Sequence, residues 1–206
     1  MHYQTEEQQI EAIRTFFKKH SNLMWLVILT FALVFMAYRY WTWQQIEVKT
    51  QASSLYESMM AASERGEQKN IIAYADKLAN SYANTIYGQV ANLVMAKYAV
   101  QDSNNSRAKK HLETVINKAN LPALRQIAVL RLVRVLIEEQ DYPRAMKLLK
   151  KNYEKNYDFI NYELQGDIYV AEKKMAKAKM AYNEAEKIGH KKGIMNRRLE
   201  LKQQNL

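Results

Sequence analysis

The sequence has no cysteine and little glycine or proline. Its 206 residues include 5 glycines and 2 prolines. The absence of cysteine excludes a disulfide framework, thiolate metal sites and cysteine catalysis. Glycine and proline are the residues that most disfavour a helix interior, and the strong helix formers alanine, leucine, lysine, glutamate, glutamine and methionine are abundant. The composition therefore predicts an all-α chain.

The motifs of common enzymes and metal proteins are also missing. The four histidines, His2, His20, His111 and His190, lie far apart and match no metal-binding spacing. The sequence contains no H-E-x-x-H, no G-x-S-x-G, no glycine-rich phosphate loop and no dinucleotide fingerprint. We therefore expect no catalytic residue, no metal site and no cofactor, so that the protein is not an enzyme.

Acidic residues are fewer than basic ones, and the formal net charge is +10. The basic residues are spread over several short clusters, each with acids nearby, which favours solvated helix faces over a site for a polyanion. A membrane-bound nucleic-acid binder is the weakest alternative. It predicts an affinity that falls steeply with salt, but no aromatic and basic motif supports it. We expect no nucleic-acid partner.

One long apolar run stands out from this polar background. Residues 23–38 are nearly all apolar and carry no charge, and with their flanks they reach the ~20 residues that a membrane-spanning helix needs. All three tryptophans of the chain lie in this run or directly after it, and aromatic rings prefer the level of the lipid headgroups. We predict that the following residues anchor the helix at the two membrane interfaces: Trp25, Tyr38, Arg39, Tyr40, Trp41 and Trp43.

Two other interpretations of the apolar run are less consistent with the sequence. A cleaved signal peptide needs small residues at a cleavage site, whereas bulky aromatic residues follow this run. A buried core helix of a soluble protein would show some polar periodicity on one face, which is absent here. We therefore interpret the run as a retained anchor in contact with the lipid bilayer.

The flanking charges bear weakly on orientation. Arg14, Lys18 and Lys19 precede the span, and Arg39 and Lys49 follow it. Because cytoplasmic flanks carry an excess of lysine and arginine, this count slightly favours a cytoplasmic N-terminus. The predicted organisation is a cytoplasmic helix over 1–20, a transmembrane anchor over 21–43 and an extracytoplasmic domain over 44–206.

The segment ahead of the anchor has the pattern of a helix start. Thr5 and Gln8 form a capping-box pattern, and Ile10, Ile13 and Phe17 mark one apolar face. This segment is either a separate cytoplasmic helix that docks on the membrane or on a partner, or an extension of the anchor helix. The sequence leaves both interpretations open.

The remaining residues have the spacing of tetratricopeptide repeats. The second-helix alanines Ala108, Ala145 and Ala178 lie 37 and 33 residues apart, close to the usual period of about 34. The pair of segments before them, residues 44–65 and 70–82, is too degenerate to align. We predict an α-solenoid of about three to four helix hairpins. The best-matching signature positions, where small residues allow close packing of large ones, are Tyr162, Gly166, Tyr169, Ala178, Tyr182 and Ala185.

Residues 127–137 form the most apolar segment of this region. Only Arg131 and Arg134 interrupt it, which predicts a central helix covered on both sides. We expect the two arginines to be structural and to pair with Glu138 or Glu139.

The order of these parts resembles a known family. The stretches QIEAIRTFFKKH (residues 9–20), YRYWTWQQ (residues 38–45) and SSLYESMMAA (residues 53–62) resemble the ancillary subunit of the bacterial SecYEG translocon. The resemblance implies a single-pass protein of the bacterial inner membrane with a short cytoplasmic N-terminus and a periplasmic repeat domain. It also implies two partners, the translocon and a membrane-anchored, parvulin-like chaperone, and no catalytic residues.

The leading functional hypothesis is a membrane-tethered binding module. Its repeats would receive unfolded secretory or outer-membrane chains or dock the periplasmic chaperone. The runner-up is an assembly scaffold for another multiprotein complex of the envelope. In the tetratricopeptide fold the first helices line the concave face, and residues there can alternatively pack against a neighbouring helix. The resemblance places these residues on that face: Val90, Leu93, Lys97, Ile127, Leu130, Arg134, Ile160, Glu163 and Asp167.

Overall fold

The computed structural model describes residues 6–194 and 196–206, with the side chains of all of them except 6–9, 12, 13, 16, 17, 20 and 21. The capping box predicted at Thr5 and the side chains of Ile13 and Phe17 lie outside these described residues. The described residues contain no strand, so the predicted all-α fold is confirmed. The helices are α1 (Glu6–Glu64), α2 (Gln68–Ser81), α3 (Ile86–Gln101), α4 (Asn105–Lys118), α5 (Pro122–Glu138), α6 (Tyr142–Leu149), α7 (Asp158–Ala171), α8 (Met175–Lys191) and α9 (Arg197–Gln204), and a 3-10 turn lies at Lys155–Tyr157.

The chain divides into two compact units, Met1–Thr50 and Gln51–Leu206. From Glu6 onward the first unit is a single helical stretch of α1 without a break. This continuity favours the interpretation of the segment before the anchor as an extension of the anchor helix. The predicted domain boundaries after residues 20 and 43 remain predictions.

The apolar part of α1 is exposed on every side. Within the described residues one helix, over Asn22–Glu64, is long and apolar enough to cross a membrane, and none of its most apolar window is buried in the protein. Trp25 is 70% exposed, and Tyr38, Arg39, Tyr40, Trp41 and Trp43 are exposed as well. A core helix of a soluble protein would be buried instead. The exposure therefore fits a single-pass membrane protein, since lipid can cover such a surface.

The second unit is a series of four helix hairpins followed by α9. The hairpins are formed by the end of α1 with α2, α3 with α4, α5 with α6, and α7 with α8. Each turn has one residue in the left-handed region: Gly66 (φ 70°), Ser103 (56°), Gln140 (63°) and Lys173 (60°). In each case the next backbone N–H donates to the carbonyl five residues earlier, as Asn104 does to Ala99 at 2.7 Å. This is the Schellman ending, which closes each first helix in the same way.

The turns fix the register of the first hairpin, which the sequence could not align. The turn residues lie 37, 37 and 33 residues apart. In the three later hairpins, the residue five positions after the turn residue is an alanine. In the first hairpin, the residue at that position is Ile71. Seven residues before the turn, the first hairpin has Met59. Both side chains are buried. Two large residues thus occupy positions where small ones carry the signature, which hides the repeat in the sequence.

The core runs through the stacked hairpins, with α5 near its middle. Helix α5 contacts α3, α4, α6 and α7, as the sequence predicts for the apolar segment over residues 127–137. Its buried side chains include Val129, Leu132, Val133 and Leu136. A chain of this kind is stabilised by contacts between neighbouring hairpins, because no single hairpin can bury its own apolar face.

Candidate binding groove

A groove between α3 and α5 has a volume of about 320 Å³. Its base is apolar and buried, because Ala96, Leu112 and Val135 have almost no exposed surface. Its rim is mostly cationic. The residues that line it are Ala96, Lys97, Val100, Gln101, Leu112, Arg131, Arg134, Val135 and Glu138.

Helix periodicity explains why these residues share one surface. On α5 the lining residues Arg131, Arg134 and Glu138 recur three and four positions apart, which places them on one face. Lys97 and Gln101 do the same on α3. Leu112 of α4 lies behind them and closes the base.

The cations of the groove lack acidic partners. Within the described part of the chain, none of Lys97, Arg131 and Arg134 forms a salt bridge. Arg131 donates from Nη1 to the carbonyl oxygen of Leu93 at 3.1 Å. The expected pairing with Glu139 is wrong, because its carboxylate lies 2.6 Å from the Lys109 Nζ instead. Of the two acids near the end of α5, Glu139 is therefore engaged elsewhere, and Glu138 lines the groove without forming a salt bridge to its cations within the described residues.

Partial burial adds to this imbalance. Burial lowers the pKa of Arg131. Burial also lowers the pKa of Arg134, the nearby Arg198 lowers it further, and Glu163 and Asp167 oppose the change. An arginine stays charged at neutral pH in either case. Neither arginine has a carboxylate at salt-bridge distance within the described residues, although Glu163 and Asp167 offset part of the change for Arg134, so an anion in the groove would stabilise both.

The structure brings together only part of the residue set predicted for the concave face. Lys97 and Arg134 line the groove. Leu93 and Leu130, one turn earlier on each helix, are buried between the helices. The groove thus lies closer to the C-terminal ends of α3 and α5 than the sequence predicts. The other predicted aliphatic residues are half-buried: Val90, Ile127 and Ile160.

The acidic residues predicted for the same face are covered by α9. Glu163 is 1% exposed, and its carboxylate lies 2.7 Å from Arg198 Nη2 and 2.8 Å from Lys202 Nζ. Lys202 also contacts Asp167 at 2.7 Å. Burial alone would raise the pKa of Glu163, but the hydrogen bonds and charges of Lys202 and Arg198 outweigh it and lower that pKa. These acids are satisfied within the chain.

Sequence reasoning missed α9 itself. The available signal was short: Asn196 caps the helix by accepting from the N–H groups of Arg198 and Leu199, and Leu199 is its one buried residue. Leu199 packs with Tyr182 and Ala185 of the last hairpin. Among the predicted packing residues, Gly166, Ala178, Tyr182 and Ala185 are buried, and Tyr162 and Tyr169 are half-buried.

Comparison with known proteins places this architecture in a family. The family described as tetratricopeptide repeat-like domain matches residues 14–206. The chain belongs to this family. No solved structure shows a significant match to this chain.

Several curated relatives of this tetratricopeptide repeat-like protein carry the name ancillary SecYEG translocon subunit. The Escherichia coli K12 protein is 26% identical over 80% of this chain and 79% of its own length. The Neisseria gonorrhoeae protein is 23% identical over 87% of each chain. The Haemophilus influenzae protein is 24% identical over 89% of this chain and 90% of its own. The resemblance indicated by the N-terminal stretches is confirmed.

Proposed function

We propose that the chain is a non-enzymatic, membrane-tethered accessory subunit of the Sec translocon. The observation that carries this proposal is its similarity to proteins named ancillary SecYEG translocon subunit over most of both chains. The candidate membrane helix supports a single-pass position in the bacterial inner membrane. In this proposal the N-terminus is cytoplasmic and the repeats are periplasmic. A helical repeat unit with a groove between first helices supports binding rather than catalysis.

In this proposal the groove docks translocating secretory or outer-membrane chains, or a membrane-anchored, parvulin-like periplasmic chaperone. Its apolar base and cationic rim suit a weak contact with a peptide segment. The anchor compensates for weak affinity, because tethering beside the translocon raises the local concentration of the binding unit without adding contacts.

Reversing the groove charge is expected to weaken partner capture. Lys97 and Arg134 are exposed and line the same groove, so Lys97→Glu with Arg134→Glu changes its charge without disturbing a salt bridge. Like charges across an interface cost several kcal/mol, so we expect recovery of the groove partner to fall at least ~10-fold. The measurement is quantitative mass spectrometry of proteins that co-purify with the full chain in mild detergent.

The matched control makes the same charge change elsewhere. Arg107→Glu with Lys110→Glu alters two exposed cations on α4 that lie outside the groove and form no salt bridge within the described residues. Equal recovery of the translocon and the chaperone from the groove variant and the native chain would remove the groove from the proposed function. Absence of SecYEG from the native purification, with another envelope complex in its place, would instead indicate the assembly scaffold.

Protease accessibility tests the proposed orientation. In intact spheroplasts, added protease is expected to digest the unit Gln51–Leu206 and to leave a protected N-terminal fragment. The reason is that a periplasmic unit becomes exposed once the outer membrane is opened, whereas the bilayer shields the anchor. Digestion of that unit only after the inner membrane is lysed would show that it lies in the cytoplasm.

A further inference from the structure

The repeated turns define equivalent positions on the face formed by the first helices. One such position is six residues before the left-handed turn residue. From the first hairpin to the fourth it holds Met60, Lys97, Arg134 and Asp167. A second such position is ten residues before the turn residue. It holds Glu163 in the last hairpin and a leucine in each of the two preceding hairpins. The face is therefore cationic in the middle hairpins and acidic in the last one.

The acidic part of this face already holds a segment of opposite charge. Helix α9 presents Arg198 and Lys202, one turn apart, to Glu163 and Asp167 at 2.7–2.8 Å. Between these two cations, Leu199 is buried against apolar side chains of the last hairpin. In this chain the face thus binds a segment that combines complementary charges with a buried aliphatic residue.

The cationic part of the face has no such segment within the described residues. Arg134 forms no salt bridge there. Arg131 donates to the Leu93 carbonyl, and the Lys97 ammonium lies 5.5 Å from the ring centroid of Tyr98. An apolar cavity lies directly beneath these cations. The groove therefore has an apolar base and a rim of three cations and one acid, Glu138, and within the described residues no carboxylate lies at salt-bridge distance from those cations.

We propose that the groove between α3 and α5 binds a segment of a partner protein in which one acidic side chain stands next to aliphatic ones. This inference rests on the proposed binding function and specifies the chemistry of the docked segment. The carboxylate pairs with Arg134 and Lys97, since charge-assisted bonds from guanidinium to carboxylate are the stronger ones. The aliphatic neighbours enter the cavity above Leu112 and Val135.

The lining residues also argue against a polyanion. Glu138 lies at one end of the groove and repels a second negative charge there. A run of phosphates offers no apolar group for the cavity base. One carboxylate among aliphatic side chains satisfies both the rim and the base.

Peptide binding to the purified full chain in a neutral detergent tests this proposal. The probe is a short fluorescent peptide with blocked termini, in which one glutamate is flanked by leucines, and fluorescence anisotropy gives its affinity. Replacing the glutamate of the probe by glutamine, or Arg134→Gln in the protein, is expected to weaken binding about 10-fold, as for the loss of a charged hydrogen bond. The matched control is Arg107→Gln, an exposed arginine on α4 outside the groove, which is expected to bind as the native chain does.

A charge reversal keeps the test independent of folding defects. Lys97→Glu with Arg134→Glu is expected to prefer a lysine version of the probe over the glutamate version, which an unfolded groove would not do. Equal affinity of the native chain for the glutamate and glutamine probes would overturn the proposal. So would an equal loss in Arg107→Gln, the absence of a reversed preference in the variant with Lys97→Glu and Arg134→Glu, or displacement of the probe by a single-stranded oligonucleotide at equal concentration.

The two proposals fail in different ways. If the native chain co-purifies with SecYEG but its purified form does not select the glutamate probe, the groove chemistry is wrong and the accessory function stands. If the probe is selected but SecYEG is absent from the native purification, the accessory function is wrong and the groove chemistry stands.

Discussion

Gly166→Ala is expected to destabilise the hairpin of α7 and α8 by about 3 kcal/mol. A Cβ atom at this position would lie 2.2 Å from Cε1 of the Tyr182 ring and 2.3 Å from its Cδ1. The ring is buried, and its hydroxyl donates to Asp167 at 2.7 Å. Overpacking costs about 1–3 kcal/mol, and losing a hydrogen bond to a charged group costs about 1.5–3 kcal/mol. The higher helix propensity of alanine returns about 1 kcal/mol.

Native-state hydrogen exchange of the α7 and α8 amides in the full chain measures this effect, because it reports the stability of one hairpin separately. The matched control is Gly189→Ala. This buried helical glycine would place its Cβ 3.0 Å from the Ile194 carbonyl oxygen, the one contact among the described residues, and we expect a clearly smaller loss. Tyr182→Leu should make room for the added methyl, so the double variant should lose less than the sum of the single ones. Full additivity would mean that the clash with Tyr182 is not the cause.

Lys202→Met is expected to destabilise the docking of α9 by about 3 kcal/mol, near the lower end of the cost of breaking a buried ion pair. The Lys202 Nζ lies 2.8 Å from the Glu163 carboxylate and 2.7 Å from that of Asp167. When the ammonium group is removed, the buried Glu163 keeps one cation at salt-bridge distance among the described residues, which is Arg198. Methionine retains an aliphatic side chain, so the loss is mainly one of charge. Hydrogen exchange of the α9 amides gives the measurement.

The control for this variant is Lys187→Met on α8. Lys187 and Glu184 lie 3.6 Å apart, and their side chains are 65% and 50% exposed. A pair this exposed contributes under about 0.5 kcal/mol, so the control should leave α9 protected. Equal deprotection in both variants would show that the ion pairs of α9 do not hold it in place.

The pH dependence of the α9 contact provides a second readout of the same variant. Because the pKa of Glu163 is lowered from its ordinary 4.5, its pairing stabilises the fold above that pH and is lost as the pH falls through the folded pKa. The difference in α9 protection between the native chain and Lys202→Met should therefore be largest near neutral pH and shrink below pH 4.5. A difference that stays constant on acidification would contradict the assigned role of Glu163.

Helix α9 has two structural consequences. Terminal repeats of a solenoid need a cap that covers their outer apolar surface, and α9 does this by burying Leu199 against the last hairpin. It also pairs with Glu163 and Asp167 of α7, whereas the cations of the groove between α3 and α5 have no carboxylate at salt-bridge distance within the described residues. In the proposed function this restricts recognition to the middle hairpins.

The sequence predicted features that depend on local patterns. Helix content follows from composition, and the candidate membrane helix follows from an uninterrupted apolar run. The later hairpins could be found because alanines recur near the usual repeat period. The first hairpin could not, because Met59 and Ile71 occupy its small-residue positions and only the left-handed turn at Gly66 shows the register.

The site depended on contacts between residues far apart in the chain. The sequence suggested that Arg131 and Arg134 pair with acids one or two turns away, but Glu139 pairs with Lys109 of the preceding hairpin. Glu163 and Asp167 looked available for a partner, yet α9 folds back over them from more than thirty residues away. By itself the sequence determined an all-α repeat chain with a membrane-compatible helix, because those properties arise from neighbours along the chain. Only the tertiary structure decided which charges remain uncompensated, because each ion pair depends on how the hairpins stack.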